Sequence, residues 1–209
     1  IADKTIPNNA VHAAVHSYSS ADPAYIATPK VNSYPYLTVD LVQGFSHSNP
    51  ASALKGLVET SIAASAKAGI SVNPVYYAKE GLLVVSVSVK AAADGLFNVG
   101  AWLLEDGIYG KQADNANIAD SSYDTHENCV RIADSKYLGA WFGHPLGTLK
   151  AGDAATKTFV MKVKKDWKVE NLHLAVFASY GQKEDGRIVY SVCNAVDAPI
   201  NAPTPFEYK

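Results

Sequence analysis

Leu82-Leu83-Val84-Val85-Ser86-Val87-Ser88-Val89 is the stretch from which the fold can be read. On an extended chain, Leu83, Val85, Val87 and Val89 point to one side, and Leu82, Val84, Ser86 and Ser88 to the other. The first side is wholly apolar. The second turns polar toward its end, as suits an antiparallel sheet with one face on a core and one in water. From Gly81 to Val89 this is the longest apolar run in the chain, and it is too short and too serine-rich to cross a membrane as a helix.

Similar segments lie on both sides. Ile70–Ala78 precedes it as a strand, and Asp94-Gly95 marks a turn before Phe97–Leu104. His126–Ile132, Thr156–Lys164 and Leu172–Ser179 follow. A turn at Glu184-Asp185-Gly186 then leads into Ile188–Val196, so the last two strands read as a hairpin. Short strands punctuated by turns in this way predict a β-sandwich. The end, with Pro199, Pro203 and Pro205, reads as an extended tail, tied down or free.

Before residue 70 the pattern differs. Ala10–Val15 (AVHAAV) reads as a short buried strand, Ser17–Lys30 as a polar connection, Tyr36–Leu41 as an alternating strand and Gln43–Asn49 as a turn. Pro50–Ala68 reads as a helix, because Leu54, Leu57, Val58 and Ile62 recur at spacings of three and four. Asn49 suits its N-cap, Pro50 its first position and Gly69 its stop.

Composition excludes several classes of function. The 18 basic and 20 acidic residues give a net charge of −2, with no basic field for a phosphate backbone, so no nucleic acid is expected. Tyrosine outnumbers phenylalanine 12 to 6, which favours half-buried faces and interaction surfaces. The chain starts at Ile1 with no signal-like segment, as expected of an internal or processed fragment whose targeting signal lies elsewhere. Cys129 and Cys193 form no CxxC. They could form one disulfide between strands or stay as two buried thiols.

Four constellations could carry chemistry. Glu105, His126 and Arg131 form the best polar set, either a binding site or, more economically, an ion pair that fixes strand register. His12 and His16 share a strand face but lie about 13 Å apart by strand rise, too far for one metal. Asp114, Asn117 and Asp120, with Asn115 and Asp124 nearby, are the leading Ca²⁺ candidates, although they miss the EF-hand spacing and read better as a solvated loop. Tyr137, Trp141, Phe142 and His144 in KYLGAWFGHPLG could present an aromatic loop to a partner or glycan, or fold back over the core. There is no nucleophile elbow, phosphate loop or activated Cys–His spacing, so no catalytic residue and no cofactor are expected.

Ala101–Gln112 (AWLLEDGIYGKQ), His126-Glu127-Asn128 with Arg131, and the glycine-rich segment through Gly143 and Gly147 resemble the Bacteroidetes outer-membrane lipoprotein family named for a 28-kDa surface antigen of Porphyromonas. Glu105, Asp106, Gln112, His126 and Arg131 fit that family's pattern. Glu127 stands where the family more often has Asn directly after His. The resemblance implies an outer-membrane, cell-surface protein with a lipid anchor outside this chain. It also implies a role in adhesion or as a receptor toward a host or cell-surface protein or glycan, without catalysis.

The first 69 residues are similar to the second half of a thioredoxin-type fold, with AVHAAV as a central strand, Tyr34-Pro35 where that fold places a cis-proline and Pro50–Ala68 as the terminal helix. The expectation is therefore an α+β chain: residues 1–69 a partial thioredoxin-like unit, and residues 70–209 an immunoglobulin-like antiparallel β-sandwich. The rival expectation is the C-terminal portion of a thioredoxin-like thiol–disulfide oxidoreductase whose CxxC lies upstream of Ile1.

Overall fold

The computed structural model describes residues 10–27, 36–46, 51–111, 121–133 and 142–208. Along the chain run β1 (Tyr36–Val39), β2 (Gln43–Ser46), the helix α1 (Ala51–Ala63), β3 (Ala68–Tyr77), β4 (Leu82–Ala91) and β5 (Gly95–Glu105). Then come β6 (Ile108–Tyr109), β7 (Thr125–His126), β8 (Cys129–Ala133), β9 (His144–Leu149) and β10 (Ala154–Lys162). Last are β11 (Leu172–Glu184), β12 (Arg187–Pro199) and β13 (Thr204–Glu207).

Two antiparallel sheets face each other. One has the order β10-β4-β3-β13; the other runs β12-β11-β5 and then divides. On that last edge of β5, β9 pairs with its first half and β8 with its second. The chain crosses between sheets after β4, β9, β10 and β12, which is Greek-key connectivity.

The alternation at Leu82–Val89 builds this interior. Leu83, Val85, Val87 and Val89 are fully buried against Phe97, Val99, Leu103, Leu174 and Val176 from the opposite sheet. On the other side of β4, Ser86 and Ser88 meet Thr158 and Thr156 of β10, hydroxyl to hydroxyl, at 3.3 and 2.7 Å.

β5 is different, because it is buried on both faces. Its inward residues fill the sandwich, while Trp102 and Leu104 on the outer face join Val130, Ala175 and Phe177 in a second apolar cluster. Val11, Ile26 and Leu41 pack onto that cluster from the N-terminal part of the chain. A strand covered on both sides reads as a continuous apolar run, which is why AWLL shows no alternation.

This packing corrects the α+β expectation. The described residues are predominantly antiparallel strand, with one α-helix, and those between 10 and 69 form no thioredoxin-like unit. AVHAAV is not a central strand. It contributes one parallel bridge, Ala14 to Cys129, and leaves Val15 exposed. The YLTV strand does not join it but folds onto β2 as a separate two-stranded hairpin. Among the described residues, the helix meets this hairpin, with Ser61 Oγ donating to Asp40 Oδ2 at 2.5 Å, and not a larger sheet. Instead, the apolar residues of this region cover the outer face of the sandwich.

Smaller differences have local causes. The helix ends at Ala63, and Gly69 lies inside β3, where a Cβ would come within 2.5 Å of the Tyr208 ring. The expected 126–132 strand is split, because Asn128 takes a left-handed φ of 56° between β7 and β8. The proline-rich tail is tied down, with β13 pairing along β3 and Ser71 Oγ donating to the Thr204 carbonyl at 3.1 Å. Tyr34-Pro35 and the Asn49-Pro50 cap lie outside the described residues.

Candidate functional site

The candidate polar set sits where the N-terminal segment meets β5 and β8. The Glu105 side chain is 4% exposed and that of Arg131 12%, and Arg131 Nε donates to Glu105 Oε2 at 2.6 Å. The other Glu105 oxygen accepts the Lys168 N–H at 2.9 Å. Arg131 also donates to the Pro23 carbonyl at 2.6 Å, and its guanidinium lies 5.3 Å from the centre of the Trp167 ring. The ion pair thus joins two strands to the N-terminal segment and to the core tryptophan.

His126 is not part of that pair. Its Nε2 lies 2.7 Å from the Gly110 carbonyl, and its ring meets His16 edge to face at 4.7 Å. Gly110 has to be glycine here, because a Cβ would come within 2.7 Å of Pro23 and 3.1 Å of His126 Nε2. His16 in turn places Nδ1 2.8 Å from Asp22 Oδ2 and Nε2 3.8 Å from Cys129 Sγ.

The series Asp22, His16, Cys129 has the order of a thiol-activating triad. Its electrostatics are of the opposite kind. Cys129 is fully buried, and burial, only partly countered by Arg131, pushes its thiol up to about 12. A thiol held protonated at neutral pH is a poor nucleophile. For Asp22, burial works against the charged form. The hydrogen bond to His16 and the backbone N–H of Ala24 outweigh it and hold the carboxyl below its ordinary value. The arrangement holds the segment to the sheet. Sequence reasoning missed it because His16 and Cys129 lie far apart along the chain, and only the Ala14–Cys129 bridge brings them together.

A further polar chain surrounds the turn after β5. Asp106 Oδ1 accepts the Asn128 N–H at 2.7 Å, and Glu127 Oε2 accepts the Gly107 N–H at 2.9 Å. His173 lies between two carboxylates, 2.8 Å from Asp197 and 3.4 Å from Asp106. These contacts account for the residues of that resemblance, Glu105, Asp106, His126 and Arg131, and for Glu127, which departs from it: they are the joints between β5, β8 and the segment laid over them.

The aromatic candidates are divided. Phe142 stacks on Tyr190 of β12, with ring centres 6.4 Å apart, on the outer face of the five-stranded sheet. Gly181 on β11 leaves room there, since a Cβ would meet the Tyr190 ring at 2.8 Å. His144 turns instead toward Phe159 at 5.7 Å. Tyr137, Trp141, Gln112 and the Ca²⁺ candidates Asp114, Asn117 and Asp120 lie outside the described residues.

The two cysteines are free thiols. Cys129 is on β8 and Cys193 on β12, at opposite edges of one sheet with β5 and β11 between them. Three strand spacings of about 4.8 Å separate them, well beyond disulfide reach. Among the described residues, no group of three or more His, Cys, Asp or Glu is placed to hold a metal ion. Nor is any helix among them long and apolar enough to cross a membrane.

Fold and site together define an antiparallel β-sandwich with a covered outer face. Among solved structures the chain is similar to HBP35 of Porphyromonas gingivalis, with a TM-score of 0.54 and 15% identity. The match covers 73% of this chain and 47% of that one, so the chain spans about half of HBP35. At this identity the likeness concerns the fold alone. No family model and no curated protein matches the sequence.

Proposed function

We propose that this chain is a non-enzymatic binding module of a cell-surface protein. It is held at the outer membrane by a lipid anchor outside this sequence and acts through its sandwich as an adhesin or receptor. The observation that carries the reading is the stacked Phe142–Tyr190 pair on a sheet face, beside Ile188 at 45% exposure on the same face. Rigid aromatic and apolar groups displayed at one end of a sandwich anchor interfaces.

Two further observations support it. The polar candidates are engaged in fastening the N-terminal segment, and the Cys129 thiol is buried and protonated. The structural neighbour also comes from Porphyromonas, the genus for which the resembled family is named. The partner chemistry that fits is a protein or glycan of a host or neighbouring cell.

The test combines two assays. Intact cells are labelled with a membrane-impermeant amine reagent, and purified wild-type chain is compared with Phe142→Ala/Tyr190→Ala for binding to host cells. The chain should be labelled, and the variant should bind about tenfold less, as expected for loss of about 1.4 kcal/mol at an aromatic anchor. No labelling on intact cells, or equal binding by the two chains, overturns the reading.

A further inference from the structure

β12 is the outer strand of the five-stranded sheet, and among the described residues no strand pairs with the outer edge of its segment Ile188–Ser191. Two observations set which backbone groups face outward. The β11–β12 turn has only Asp185 and Gly186 between Glu184 and Arg187, both with positive φ (45° and 79°). In a two-residue turn of this kind the closing pair exchanges ladder hydrogen bonds, so Glu184 and Arg187 bond to each other. Independently, the Val192 N–H points away from β11 and donates to the Asp40 carbonyl at 3.2 Å. Residues 187, 189 and 191 therefore bond inward. Ile188 and Tyr190 hold their N–H and C=O groups outward, and β11 is the one strand β12 pairs with among the described residues.

The usual protections of an edge are missing here. The run Ile-Val-Tyr-Ser-Val carries no charge and no proline, and Ile188 and Val189 are exposed. Such an edge is a template for another strand.

We propose that a second copy of this chain pairs with this edge, antiparallel, about a two-fold axis at Val189. An antiparallel two-fold pairing must match the outward groups of one copy to those of the other. Centred on Val189, it sets Ile188 of each copy opposite Tyr190 of the other, and the outward N–H and C=O groups of these residues pair in four hydrogen bonds. Centred on Tyr190, it would set Ile188 opposite Val192, whose N–H is already taken by Asp40. Side chains agree with the first register. Isoleucine meets tyrosine on the Phe142 face, valine meets valine on the other, and Arg187 meets Ser191, so no like charges are opposed. The self-matching pattern is what selects a second copy over a foreign strand. Dimerisation does not depend on the adhesin or receptor reading and can fail separately from it.

Cysteine cross-linking tests the register. Val189→Cys and Ile188→Cys are each made with Cys193→Ser and oxidised mildly. Across the axis the two Val189 Cα atoms are about 4.5 Å apart, within disulfide range, whereas Ile188 faces tyrosine. Val189→Cys should cross-link at least about tenfold faster than Ile188→Cys. Wild type should sediment as a concentration-dependent dimer, and Val189→Lys, which opposes two charges while keeping every N–H, should be a folded monomer by near-UV circular dichroism. Wild type that stays monomeric at all concentrations, equal cross-linking of the two cysteine variants, or a Val189→Lys chain that still dimerises overturns the proposal. A monomer whose edge pairs only with strands of other proteins does so as well.

Discussion

His173 shows how a single side chain on a sheet surface can make the whole fold sensitive to pH. Burial alone would pull its pKa down. The hydrogen bond to Asp197, the charge of that carboxylate and the nearby Asp106 outweigh burial and hold the imidazolium above its ordinary value. A histidine raised in the folded state contributes stability that is fully present below the unfolded value, about 6.5. That contribution is lost as pH rises through the folded pKa. Urea stability of the wild type, measured from about pH 6 to about pH 8, should therefore fall relative to that of His173→Gln. If the two curves run parallel across the window, the carboxylates do not hold this proton. The sequence offered little sign of this site, because two strand residues and one turn residue far apart along the chain look like ordinary polar positions. The Glu105–Arg131 pair was more legible: an acid at the end of an apolar run and a base on a strand are enough to suggest a cross-strand contact.

Among the elements, legibility followed periodicity. β4 alternates and is solvated on one side, so its faces could be assigned from sequence. β5 was recognisable as a strand, but its second buried face was not, because the residues that cover it come from AVHAAV and from Leu41. AVHAAV is apolar enough to read as a central strand, and nothing local distinguishes that from a segment buried on one side only. The same bare apolarity that suggested a thioredoxin-like unit is what lets this segment lie across the sandwich. Among the described residues its polar hold is one parallel bridge, the Arg131–Pro23 bond and the His16–Asp22 contact above Cys129, beside the apolar packing of Val11, Ala24 and Ile26. An element fastened this lightly should open well below the free energy of global unfolding. Cys129, inaccessible while the segment is closed, reports that opening. In a Cys193→Ser background, Asp22→Asn should raise the rate of thiol labelling at Cys129 about fivefold, the equivalent of about 1 kcal/mol lost from one charge-assisted hydrogen bond. Labelling that is unchanged, or that occurs only at the rate of global unfolding, would show the segment to be one cooperative unit with the sandwich.

At the scale of the whole molecule, two sheets and a tail meet at Asn194. It sits on β12 among apolar neighbours, 6% exposed, and its Nδ2 donates to the carbonyls of Ala68 on β3 and Glu207 on β13, both at 2.9 Å. Its Oδ1 accepts the N–H of Ala195 at 2.9 Å. One amide thus ties the two sheets to the proline-rich end, at the point where β13 would otherwise be a loose edge strand. A lone Asn between Cys193 and Ala195 gave no hint of this, since strand polarity ordinarily marks a solvated face. Asn194→Ala leaves buried carbonyls without donors and should cost about 2 kcal/mol or more in denaturant unfolding. Loss of packing at this site would cost something too, so a single variant does not identify the cause. Deleting residues 204–209 removes β13 and with it the Glu207 carbonyl. If the amide acts as a tie, Asn194→Ala should then cost clearly less in the shortened chain than in the full one, because one of its two acceptors is already gone. If the cost is the same in both, the tail is held by its pairing with β3 alone, and Asn194 serves only the seam between the sheets.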